Sequence, residues 1–200
     1  ISSSGKYKFR YRRVNPAGEI AYDTTAVRQN GDIEAMRLEL NLNGSFDNGE
    51  WHLKGYHYNS ERGIPGAIVN NVWRRGERQW DNNSFVQGSY RRMAGRFSTL
   101  FNAKYAFYRT HYVNNDERQV RVDNLYRQRE LYLSTANQFR IMRMWHVSAS
   151  YDFQWNSLET DMRDFLRPDR YTHLLSIATA LNLPQLKFQA SVLGTFIRDK

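Results

Sequence analysis

The stretch Trp145–Asn156, WHVSASYDFQWN, changes character at every residue. Trp145, Val147, Ala149, Tyr151, Phe153 and Trp155 alternate with His146, Ser148, Ser150, Asp152, Gln154 and Asn156. Successive side chains of a strand point to opposite faces, so as a strand this segment has one apolar, aromatic face and one polar face. A helix would mix the two sets on every side. Its length matches the roughly 9–11 residues that a strand needs to cross a membrane, with tryptophan at both ends of the apolar face.

The same period of two recurs outward from this segment. Phe97, Thr99, Phe101, Ala103 and Tyr105 oppose Ser98, Asn102 and Lys104. Met36, Leu38, Leu40 and Leu42 oppose Arg37, Glu39, Asn41 and Asn43. Leu175, Ile177, Leu181 and Leu183 oppose Thr172, Ser176 and Asn182; Phe188, Ala190, Val192 and Phe196 oppose Lys187, Gln189, Ser191 and Thr195. Tyr7, Phe9 and Tyr11 alternate with Lys6, Lys8, Arg10 and Arg12. With weaker segments at Trp51–Tyr58, Ser84–Arg92 and Arg129–Phe139, the chain offers about nine strands.

The connections alternate too. Short ones fall near Gly44–Gly49, Met93–Gly95, Arg140–Arg143 and Pro184–Leu186. Long polar ones fall near Val14–Ala35, Asn59–Asn83, Val113–Gln128 and Ser157–Arg170. Short turns on one side and long loops on the other are the layout of outer-membrane barrels. The expected fold is therefore all-β: residues 1–200 as part of an antiparallel, up-and-down transmembrane β-barrel. Helix should stay below about a tenth of the chain, well under the usual share. A soluble β-sandwich also alternates, but its strands are shorter, about 5–6 residues.

Composition agrees. Aromatics reach 14% in a chain of mean hydropathy -0.76, and no apolar run approaches a membrane helix. There is no cysteine, which excludes disulfides and thiolate metal sites. The net charge of +9 is spread over both rims: Arg74, Arg75, Arg78, Arg118, Arg121 and Arg127 in the long loops, Arg91, Arg92, Arg96, Arg140 and Arg143 near the short turns. A nucleic-acid module gathers its charge on one element beside aromatics, so none is expected as partner. Arginine at membrane rims faces lipid head groups, including lipopolysaccharide phosphates.

Catalytic and metal signatures are missing. His52, His57, His111, His146 and His173 have no helical i, i+4 spacing, and neither CxxC nor HExxH occurs. No Ser–His pair stands out in sequence, so no enzyme, cofactor or metal is expected. Glu159, Asp161, Asp164 and Asp169 share one loop with Arg163, Arg167 and Arg170, which reads as salt-bridged packing rather than a calcium site.

The loop Tyr58-Asn59-Ser60-Glu61-Arg62-Gly63-Ile64-Pro65-Gly66 follows one candidate strand. Its Glu-Arg-Gly-x-Pro-Gly string resembles a recurrent stretch in the barrels of TonB-dependent receptors, especially those of vitamin B12 and siderophore transporters. Gln79-Trp80-Asp81-Asn82-Asn83 before the next strand adds to the likeness. The resemblance implies an active transporter of the bacterial outer membrane that takes up a scarce nutrient such as a metal chelate or cobalamin. It implies a small-molecule ligand, contact with outer-membrane lipid and lipopolysaccharide, and coupling to the TonB complex through an N-terminal region and plug domain that lie outside this chain. The alternative is a passive porin-like channel or a barrel enzyme.

On this reading Arg62, Trp73 and Trp80 are the ligand-facing loop candidates. Glu61, Arg62, Gly63, Pro65 and Gly66 form the loop motif, with Pro65-Gly66 suited to the centre of a type II turn. Trp145, Val147, Tyr151, Phe153 and Trp155 face lipid. With nine strands the first, near Lys6–Arg13, and the last, near Lys187–Arg198, run the same way and so are expected to pair with strands outside this segment.

Overall fold

A computed structural model of the chain describes residues 1–66, 68–69, 72–73, 76–116 and 120–200, with side chains absent from the description at 67–75. The chain is all-β and antiparallel, and no helix occurs among the described residues. In chain order the strands are β1 (Ser2–Ser3), β2 (Lys8–Val14), β3 (Ile20–Val27), β4 (Ile33–Phe46), β5 (Gly49–Gly63), β6 (Ile68–Val69), β7 (Val72–Trp73), β8 (Glu77–Ala94), β9 (Phe97–Asn114), β10 (Val122–Met142), β11 (Trp145–Thr160), β12 (Asp169–Asn182) and β13 (Lys187–Asp199).

Nine of these form one sheet in the order β1-β4-β5-β8-β9-β10-β11-β12-β13. From β4 to β13 each long strand pairs with the next long strand in sequence, as an up-and-down meander requires. The sheet is open: β13 has β12 as its single neighbour, and residues 1–3 cover only Ile33, Glu34 and Ala35 of the outer edge of β4. The four short turns lie where the sequence places them, for example at Asp47-Asn48 and at Gly95-Arg96. The strands run longer than the period-two segments, because pairing continues into the polar stretches that read as loops. β10, for instance, extends over 21 residues.

The count of nine is reached with a different membership. Lys6–Arg13 is not a member of the main sheet. β2 pairs with β3 in a two-stranded sheet of its own, with Phe9 opposite Ala26 and Tyr11 opposite Thr24. β3 lies within the stretch read as one long loop, so β2 finds a local partner there. The two-residue β1 takes its place beside β4. The main sheet therefore has eight long strands, an even number, and β4 and β13 run in opposite directions rather than the same one.

Two compact units share these strands: residues 1–37, 58–82 and 110–125, and residues 38–57, 83–109 and 126–200. Neither contains a conventional core. The buried apolar residues of the described chain are Ala35, Ala106 and Val113. Large apolar side chains lie exposed instead, among them Leu40 at 60%, Ile177 at 55% and Val192 at 75%.

Of the tight turns, Gly95 depends most on being glycine. Its φ is +59°, and no atom lies within 4 Å of where a Cβ would stand. The cost of a side chain is thus purely that of the left-handed backbone, about 1–2 kcal/mol. Gly95→Val is expected to lower the refolding stability of the β8–β9 hairpin by that amount, and Gly95→Asn by clearly less, in a urea titration followed by tryptophan fluorescence.

Candidate functional site: a two-faced sheet and a charged network beside the long loops

Residues 126–200 show the two faces most fully. The register sets Trp145, Val147, Ala149, Tyr151, Phe153 and Trp155 opposite Leu181, Thr179, Ile177, Leu175, His173 and Tyr171. Those in turn meet Phe188, Ala190, Val192, Gly194, Phe196 and Arg198 on β13. On the β10 side lie Phe139, Asn137, Thr135, Leu133 and Leu131. The five residues expected to share an apolar face do share it, since they occupy alternate positions of one ladder. Trp145 and Tyr151 are exposed, whereas Val147, Phe153 and Trp155 are half-buried among their neighbours.

Aromatics gather at both ends of this face. Phe153, His173 and Phe196 touch in sequence, with ring centroids 5.2 and 6.1 Å apart. The polar tips of the tryptophans are satisfied: Trp145 Nε1 donates to Thr179 Oγ1 at 2.8 Å and Trp155 Nε1 to Asp169 at 3.1 Å. A hydrogen-bonded indole edge beside an apolar ring suits a boundary between oil and water.

The opposite face is polar, and on β11 it is half-buried. Ser148, Ser150, Asp152 and Gln154 lie there with Ser134, Ala136, Gln138 and Ser176. Tyr132 donates to Asp152 at 3.3 Å, and Lys104 pairs with Glu130 at 3.2 Å. Lys104 also lies over the Phe85 ring, which stacks on Tyr56 at 4.9 Å. A cavity of about 540 Å³ opens on this face, lined in part by Ser98, Gln138, Ser148, Ser150 and Ser176.

A charged network occupies the other unit. Arg62, at the end of β5, reaches Asp81 at 3.4 Å. Asp81 also accepts from Gln79 at 2.9 Å and from Thr110 Oγ1 at 2.9 Å. Glu61 accepts from Arg78 at 2.7 and 3.0 Å, and the same guanidinium donates to Asp32 at 2.9 Å. The Arg78 hydrogen bond, ahead of its charge, holds the Asp32 carboxyl below its ordinary range. Tyr112 donates to Glu77 at 3.1 Å.

Of the motif Glu61–Gly66, Glu61, Arg62 and Gly63 belong to β5. A type II turn centred on Pro65-Gly66 would close at residue 67, so that expectation falls outside the described residues. Side chains pin Ile64–Gly66. Arg28 donates to the Pro65 and Gly66 carbonyls at 2.8 and 2.9 Å, and Asn30 to the Ile64 carbonyl at 2.9 Å and the Glu77 carbonyl at 2.8 Å. Asn30 holds this position with φ at 58°, a conformation asparagine tolerates better than most residues. Gly63 is required by proximity: a Cβ there would stand 2.5 Å from Asn30 Oδ1 and 2.8 Å from the Asn30 carbonyl.

Trp80 is not in a loop but in β8, stacked on His111 at 5.2 Å, and His111 Nε2 lies 2.7 Å from Asp123. Trp73 lies on the short β6–β7 ladder opposite Ile68, and its side chain is outside the described residues, as are Arg74, Arg75 and Arg118. The loop acids do not pair as a set. Glu159 meets Arg129 at 3.6 Å, Asp169 takes the Trp155 indole, and Arg170 pairs with Asp199 rather than with its loop neighbours. No cluster of three metal-ligating side chains occurs among the described residues.

No protein-family model matches the chain, and no curated protein matches it. The site is therefore read from its own geometry. Sequence reasoning missed Arg28, Asn30, Asp32 and Arg78 as members of one network, whose partners lie 17 to 47 residues away. It also missed the pair His57–Ser84, whose Nδ1 and Oγ lie 2.9 Å apart. Their separation of 27 residues hides them, but the period of two on each strand places both on the apolar face.

Two outcomes follow for the network. Gly63→Ala forces the Asn30 backbone to move and is expected to cost about 1–3 kcal/mol, more than Arg78→Gln, because half-exposed ion pairs are worth only about 0–1 kcal/mol. Because the Asp32 carboxyl is lowered in the folded state, its contribution is complete at neutral pH and is lost as pH falls through the lowered value. Limited proteolysis between residues 59 and 66 is expected to accelerate below about pH 4. Arg78→Gln should remove that acid dependence.

Proposed function

We propose that this chain is part of the wall of a bacterial outer-membrane β-barrel that imports a scarce small-molecule nutrient, coupled to the TonB complex. One observation carries the membrane reading: the sheet is inside out. On its interior strands Tyr151, Leu175 and Ile177 of the apolar face are exposed while Ser148, Ser150, Asp152, Gln154 and Ser176 of the polar face are half-buried, the reverse of a sheet that packs on a protein core. A face bearing Leu38, Leu40, Leu42, Phe101, Tyr105, Leu175, Ile177 and Val192 in water is a very large apolar patch. In lipid it needs no further cover.

The dimensions agree. Trp145 and Trp155 bracket the apolar face of β11. Ten residues of strand rise about 33 Å. At a tilt of roughly 40° this spans about 25 Å, the height of the apolar band of outer-membrane barrels. The turns at one end are short and the connections at the other longer, a layout that supports assigning the charged network to the outer side of such a membrane. The single-neighbour edge of β13 fits a wall that continues, because lipid cannot satisfy open backbone groups.

The transport reading rests on the Glu61–Gly66 resemblance and on a polar face able to line a passage. The ligand would be met first by groups outside the membrane, where Arg62, Arg78 and the stacked Trp80 lie among carboxylates. Energy-coupled uptake is separated from passive diffusion by an uncoupler. Uptake of the cognate chelate or cobalamin should stop when the proton-motive force is collapsed, and uptake that persists would identify a porin.

The chain has no cysteine, so single cysteines report cleanly. Nitroxides at Val147, Ile177 and Val192 are expected to collide with oxygen dissolved in lipid, and those at Ser148, Ser150 and Ser176 with a water-soluble nickel chelate. Equal access on both faces would sink the membrane reading. Ile177→Arg, near the middle of the band, should cost about 2–4 kcal/mol in membrane refolding, and Ser176→Arg much less.

A further inference from the structure

We propose that the apolar face carries a seat for one acyl chain of lipopolysaccharide, built over Gly55 and closed at its polar end by His57 and Ser84. The inference rests on the reading of this face as lipid-facing, and adds to it a particular place and a particular lipid.

On β5 the alternate positions Trp51, Leu53, Gly55 and His57 share the apolar face. Trp51 and Leu53 project from it; Gly55 does not, and a notch interrupts the ridge. A Cβ added at Gly55 would meet a single atom, Leu40 Cβ at 3.9 Å, so the space above it is open. The resulting groove holds about 430 Å³ between Leu38, Leu40, Val86, Tyr105 and Phe107. That is the size of a small-ligand site, and its walls are almost wholly apolar. A hydrocarbon chain fits such a groove, and a polar ligand would lose its hydration there without replacement.

The polar end gives the seat direction. His57 and Ser84 also border the groove, with Nδ1 and Oγ 2.9 Å apart. When the Ser84 hydroxyl donates to Nδ1, the imidazole proton sits on Nε2. That N–H has no other partner among the described residues. A lone donor beside an apolar groove calls for an acceptor, and the ester carbonyls that join acyl chains to a lipid head supply one at the matching depth.

Depth selects the leaflet. Ser84 lies about as far from the short turn at Ala94 as Trp155 lies from Trp145, which puts the pair at the boundary on the long-loop side. That side faces outward, where lipopolysaccharide supplies the acyl chains.

The test uses the intact protein purified from outer membranes in mild detergent, with bound lipid measured by native mass spectrometry and each variant checked for heat-modifiable migration as a sign of folding. Wild type should retain lipopolysaccharide through washing. Gly55→Leu, which fills the notch, should reduce retention several-fold, with Gly55→Ala intermediate if the larger side chain impairs folding. His57→Phe should weaken retention, and Val192→Leu on the same face should leave it unchanged. Wild-type retention in folded Gly55→Leu, or phospholipid held in the same notch-dependent way, would overturn the proposal. So would release of fatty acid that depends on Ser84, since the pair would then be a catalyst and not a seat. If the protein does not sediment with outer membranes at all, the membrane reading itself fails. If it does, and only notch dependence is missing, the seat alone fails.

Discussion

Backbone hydrogen bonding between neighbouring strands is the interaction on which everything else here depends. With Ala35, Ala106 and Val113 as the buried apolar residues, side-chain burial within the chain contributes little. A net hydrogen bond in water is worth only about 1 kcal/mol, because water competes for both partners. Away from water that competition disappears, and an unmade bond becomes costly. Long ladders such as β11–β12 and β12–β13, paired through consecutive positions, are what a sheet needs in such a setting. The same logic makes the single-neighbour edge of β13 a place that calls for another strand.

The charged network serves a different purpose. Its ion pairs are half-exposed, and individually they add little energy. What they add is definition. Arg78 ties Asp32 to Glu61, Arg62 ties β5 to Asp81, and Arg28 and Asn30 hold the carbonyls of Ile64–Gly66. Donors from elsewhere in the chain thus fix the course of that segment. Gly63 is small because the Asn30 backbone comes close, which explains that position of the motif more directly than a flexible approach to a turn.

The sheet was legible in the sequence because a strand's side-chain period is local: Trp145–Asn156 and Phe97–Tyr105 announce their faces within a dozen residues. The short turns were legible for the same reason. Strand ends were not, since β10 continues through Gln128 and Arg127 by backbone pairing that is indifferent to side-chain pattern. Nor was the membership of Lys6–Arg13, whose alternation fits any sheet and whose partner, Ile20–Val27, is set by proximity along the chain. The network and the pair His57–Ser84 were invisible, because their members are brought together by register across strands and carry no spacing signal.

The meander has a kinetic consequence. Every long strand of the main sheet is bonded to the next long strand in sequence, so no pairing among the long strands has to wait for a distant part of the chain. Closing a loop costs entropy that grows with its length, and sheets dominated by neighbouring contacts fold faster than those that join remote segments. Hairpins seeded at Asp47-Asn48, Gly95-Arg96, Arg143-Met144 and Leu183–Leu186 can zip away from their tight ends independently. The ends of each hairpin farthest from its tight turn join last.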